Sequence, residues 1–68
     1  MEELFFLVED SPEGGYVARA LGQSIFTQGE TLEEIKANIR EAVDCHFTEA
    51  KPKMLHLHIV RDEILAYA

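Results

Sequence analysis

Residues 2–9, EELFFLVE, place apolar side chains on both faces of an extended segment: Phe5 and Leu7 on one, Leu4, Phe6 and Val8 on the other. A strand that is apolar on both faces is one covered on both, so the pattern predicts a central strand. DSPEGG (10–15) is a turn cluster, in which Pro12 presets its φ angle and Gly14 or Gly15 can supply a positive one. YVARAL (16–21) predicts a second strand with Arg19 on the face of Val17 and Leu21. Gly22-Gln23 predicts a two-residue turn into a third strand, SIFTQ (24–28).

The period then changes from two to 3.6. Leu32, Ile35, Ile39, Ala42, Val43 and His46 follow one helical face, with Phe47 beside them, and Glu33, Lys36, Arg40, Glu41 and Asp44 occupy the rest. Thr31 as N-cap and Glu34 at the third helical position predict a capping box. Lys51-Pro52 bounds the helical region, because proline disfavours helical geometry in the residue before it. MLHLHIV (54–60) alternates again, with Leu55, Leu57 and Ile59 on one face and His56, His58 and Val60 on the other. RDE interrupts the pattern and ILAYA follows.

The order β-β-β-α-β predicts an α+β fold. Short turns make the first three strands antiparallel neighbours, and a right-handed crossover carries the last strand to the free edge beside the first. The expected spatial order is 3-2-1-4, with strands 1 and 4 parallel and one helix on one face. The opposite face then shows apolar side chains to water, which predicts pairing with a second copy. Phe6, Val8, His56 and His58, with Ile64 and Tyr67 of the tail, are the expected contact residues.

Length and charge sharpen this picture. The 68 residues read as a single domain, 1–68, which at this size buries only about 60% of its unfolded surface. Chains this short usually gain support from disulfides, a metal or a partner subunit. One cysteine, Cys45, allows no internal disulfide framework. That lone thiol, an acidic start unlike a signal peptide and the lack of a long apolar run predict a cytoplasmic protein without a membrane segment. Thirteen acidic against six basic residues give a formal charge of −7. Such a field disfavours direct nucleic-acid binding and favours basic partners.

Candidate chemistry is sparse. His56 and His58, two apart on a strand, point to one face, a spacing that metal sites use, yet a third or fourth ligand is needed. Cys45 lies in the C-terminal half of the helix, where the dipole disfavours a thiolate, and its neighbour His46 is expected on the core stripe. Ser11 and Ser24 are turn residues, and the glycines show no phosphate-cradling pattern. No enzymatic activity, cofactor or metal is therefore expected.

The segments EGGYVARAL and TQGETLEEIKANIREAV resemble the HicB family of small antitoxin-like proteins. The matching residues are Gly15, Tyr16, Ala18, Gly29, Glu30, Thr31, Glu33, Glu34, Asn38, Ile39, Glu41 and Ala42. The resemblance covers residues 5 to about 47 and implies a partial ribonuclease-H-like fold without that fold's catalytic carboxylates. It also implies a partner, HicA, a small basic RNA-cleaving toxin whose active site family members block. The chain departs from the family pattern in having LGQS between strands two and three. Residues 52–68 read as one strand and a short tail, so no C-terminal DNA-binding domain is expected. The reading is a non-enzymatic protein-binding module that self-associates. The alternative is a small ligand-binding or enzyme-accessory homo-oligomer with a site near His56 and His58.

Overall fold

A computed structural model describes residues 2–67 of the chain. They form β1 (Glu3–Asp10), β2 (Tyr16–Ala20), β3 (Phe26–Gly29), α1 (Leu32–His46) and β4 (Met54–Val60). The strands build one mixed sheet in the order β3-β2-β1-β4. β1 runs antiparallel to β2 and parallel to β4. This is the α+β arrangement that the sequence pattern predicts.

The register shows which face of β1 is the core face. Phe6 lies opposite Ala20 on β2 and Leu57 on β4, and Val8 lies opposite Ala18 and Ile59. Phe6, Val8, Ile35 and Ile39 are essentially without solvent contact, and Leu4, Ala18, Ala20, Ile25 and Val43 complete the core. The expectation that Phe6 and Val8 lie on an outer contact face is therefore wrong. Both alternate sets of β1 are apolar, so alternation within this strand could not choose between them. The neighbouring strand decides: Leu4, Phe6 and Val8 align with the apolar Leu55, Leu57 and Ile59, while Phe5 and Leu7 align with His56 and His58.

Two boundaries also differ from the pattern. The third strand begins at Phe26, and residues 21–25 form a longer link that Ala20 N–H closes by donating to Ile25 O at 3.0 Å. Ile25 is needed in the core, so the chain cannot turn tightly at Gly22-Gln23 and keep that side chain inside. The helix stops at His46, well before Pro52. Phe47 leaves helical geometry (φ −109°, ψ 114°) and packs against the core, while its N–H still donates to Val43 O. His46 is exposed, not part of the core stripe, and its Nε2 lies 3.3 Å from Gln23 Oε1.

The helix start is well tied. Thr31 Oγ1 accepts a hydrogen bond from Glu34 N–H at 3.0 Å, satisfying one of the free donors of the first turn. Among the described residues the reciprocal bond from Thr31 N–H to the Glu34 carboxylate is absent, so only half of the expected capping box forms. Gly29 sets the distance between helix and sheet, and Gly15 sets the approach of the β1–β2 turn to the end of β3. A Cβ on Gly29 would stand 2.9 Å from Ile35 N, and one on Gly15 would stand 2.6 Å from Gly29 O. Asn38 Nδ2 adds a 2.7 Å bond to Gln28 O, binding the helix to β3. The helix consequently lies over β3 and β2 and away from β4.

Gly29→Ala is expected to cost about 1–3 kcal/mol by forcing helix and sheet apart. Thr31→Ala is expected to cost about 1 kcal/mol through loss of the cap. Urea denaturation checks both, and an unchanged midpoint for Gly29→Ala would refute the close approach.

Candidate functional site

The uncovered face of the sheet is a patchwork of aromatic, aliphatic and imidazole side chains. One row across the strands reads Phe26, Arg19, Leu7 and His58, and the next reads Gln28, Val17, Glu9 and Val60. Phe5 lies 47% exposed and Phe26 65% exposed, and Leu21 and Met54 are also open to solvent. This face carries the features expected of an interaction surface. His56 and His58 lie on this face, and the apolar side chains beside them are Phe5 and Leu7.

The two histidines are held by local contacts. His56 stacks on Phe5 with ring centroids 4.3 Å apart and an interplanar angle of 14°. Its Nε2 lies 2.8 Å from Glu3 Oε1. His56 and His58 share the outer face of the edge strand, as the alternation predicts. Among the described residues no group of three or more His, Cys, Asp or Glu side chains gathers where it could hold a metal ion. The pair with Glu3 thus offers His56 a carboxylate partner, not a completed ligand set.

Acid collects at one end of the sheet, around the turn between β1 and β2. Glu9, Asp10 and Asp62 line one shallow depression, Glu13, Glu30 and Glu34 line the next, and Ser11 borders both. Neither depression is lined by Lys or Arg. The ion pairs of the described residues lie elsewhere: Lys51 with Asp44, Lys53 with Glu2 and His56 with Glu3. Asp62 N–H donates to Asp10 Oδ2 at 3.1 Å, which brings the chain beyond β4 to this acidic end. The turn builds the cluster: Gly14 N–H donates to Ser11 O and Ser11 N–H to Gly15 O, so Asp10 and Glu13 emerge on either side of a closed loop. In sequence these carboxylates are scattered from residue 9 to residue 62. Only the pairing of β1 with β4 and the docking of the helix start against Gly29 assemble them.

The remaining candidates do not converge. Cys45 is exposed. Ser11 Oγ accepts from Glu13 N–H at 3.3 Å. Ile64 and Tyr67 lie beyond β4, outside any helix or strand, and are fully exposed. Thr31 and Glu34 act at the helix cap, with Glu34 also facing the acidic end. No helix among the described residues is long and apolar enough to cross a membrane.

Comparison with known proteins finds two similar chains. A protein of Thermotoga maritima named UPF0150 protein is 43% identical over 65 residues, covering 96% of this chain and 93% of its own length. A protein of Archaeoglobus fulgidus with the same name is 51% identical over 55 residues, covering 79% of this chain and 82% of its own. No family model matches the chain. No solved structure matches it.

Zinc at one equivalent is expected to leave the melting temperature unchanged, since two imidazoles and no third ligand make a weak site. A rise that disappears in the His56→Ala/His58→Ala double variant would establish a ligand site on this face.

Proposed function

The chain belongs to the UPF0150 family, and on that footing we propose that it is a non-enzymatic protein-binding module of the HicB antitoxin type. In this reading the β-β-β-α-β unit is a partial ribonuclease-H-like fold that serves as a binding scaffold. It self-associates through its apolar surfaces and engages a small basic protein, a HicA-like RNA-cleaving toxin. The observation that carries the reading is the group of carboxylates around the turn at 10–15, which no lysine or arginine of the described residues neutralises. A surface of this kind accelerates encounter with a cationic partner and repels a phosphate backbone. The residues that carry the family resemblance support it from the structural side. Gly15, Gly29 and Thr31 bring the turn and the helix start together, which is what sets Glu13, Glu30 and Glu34 side by side.

The test is a search of the neighbouring reading frames for a basic protein of toxin size, followed by calorimetry of its binding to this chain at two salt concentrations. Stoichiometric binding that weakens as salt rises is expected, and reversing Glu13 and Glu30 to lysine should slow association by about tenfold or more. If no such protein is encoded nearby, or the pair does not bind at low salt, the antitoxin reading falls and the family assignment alone stands.

A further inference from the structure

The helix sits over β3 and β2, and this leaves the inner side of β4 facing an open groove. Leu55, Leu57 and Ile59 form one wall of the groove and Ile39 contributes from the helix. Leu55 and Leu57 are only half buried there, and Ile59 is exposed. The groove measures about 580 Å³, and its rim carries Lys36, Arg40 and Lys53. Those are three of the six basic residues in a chain of net charge −7. β4 is also an end strand of the sheet, so one side of its backbone has no strand partner. A long, apolar, unpaired edge beside an apolar trough is a surface that natural proteins cover.

The chain beyond β4 has the matching composition. Residues 62–67, DEILAY, carry two acids followed by Ile64, Leu65 and Tyr67, whose side chains are 96%, 91% and 101% exposed. The segment belongs to no helix or strand. At about 3.3 Å per residue, residues 54–67 span roughly 46 Å, most of the molecule's longest dimension of 54 Å against 18 Å in the other two. The tail thus continues the line of β4 away from the body. To reach its own groove it would have to reverse at Arg61-Asp62, where no glycine or asparagine supports a tight turn. Asp62 N–H is instead held by Asp10 Oδ2, which keeps the tail on its outward course.

We propose that residues 62–67 of one copy add as an extra strand to the β4 edge of a second copy, setting acidic and apolar side chains against the partner's basic, apolar groove. The proposal rests on the self-association part of the preceding reading and identifies the surface that would carry it. The alternation suits a strand covered on both faces: Asp62, Ile64 and Ala66 point one way, Glu63, Leu65 and Tyr67 the other. Either set supplies an acid for the Lys36–Arg40–Lys53 rim and an apolar side chain for the Leu55–Leu57 wall. Backbone pairing along the edge provides affinity, and the alternate side chains provide register. The exchange is reciprocal when a twofold axis relates the copies, so each tail satisfies the other's edge and the assembly closes.

Sedimentation equilibrium of the full chain, with far-UV circular dichroism as the control for folding, tests the proposal. The parent chain should dimerise, and Ile64→Glu/Leu65→Glu should raise the dimer dissociation constant by roughly 30-fold or more with an unchanged spectrum. Lys36→Glu/Arg40→Glu should weaken the dimer likewise, and combining it with Asp62→Lys/Glu63→Lys should restore it. A parent chain that stays monomeric overturns self-association itself. A dimer indifferent to the tail variants overturns strand exchange alone and leaves self-association through another surface. Amide protection of residues 62–67 that persists on dilution to monomer would place the tail in its own groove and also overturn the exchange.

Discussion

One helix cannot cover a four-stranded sheet, and most of what is distinctive in this molecule follows from that mismatch. An α-helix is about 10 Å wide, while strands lie about 4.8 Å apart, so a single helix shields roughly two of them. Here it shields β3 and β2 and reaches β1 through Ile35 and Ile39 packed with Phe6 and Val8. Its position is not free to drift. The backbone of the helix start lies so close to Gly29 that a methyl group there would collide, and Gly15 is equally close to Gly29 from the other side. The Gly29 contact, with the Asn38 bond to Gln28, holds the helix toward one edge and leaves the other edge bare.

The cost of the mismatch is apolar surface in water. The inner side of β4 is only partly covered, no helix covers the opposite face of the sheet, and Ile64, Leu65 and Tyr67 of the tail are exposed. For a chain of this size the core alone supplies a thin margin of stability. Burial in an assembly would add apolar area that the fold itself has no element to cover. The polar content of the outer face does not oppose this, because His56 is already stacked on Phe5 and bonded to Glu3.

Charge is segregated along the same lines. Carboxylates gather at the β1–β2 turn and the helix start, and half of the basic side chains rim the groove beside β4. Two surfaces of opposite charge therefore share one small body.

The elements were largely legible in the sequence, because periodicity and capping act locally. The shift from period two to 3.6 at Thr31, the clean alternation of residues 54–60 and the two-sided apolarity of β1 state strand, helix and strand order directly. Short connections and the handedness of the crossover then leave one sensible sheet order. What the chain could not state is which apolar set of β1 is inside: Phe5 and Leu7 look as suitable as Phe6 and Val8 until β4 aligns them with histidines or leucines. Nor could it state where the helix would rest, since that depends on a backbone approach at Gly29 made by residues far from β4. The acidic end and the basic groove are likewise products of tertiary pairing, assembled from positions spread across the chain. Sequence determined the elements and their order, because these depend on local backbone preferences. Tertiary structure alone decided which surfaces were left uncovered, because that depends on register and on where one narrow helix settles on a wider sheet.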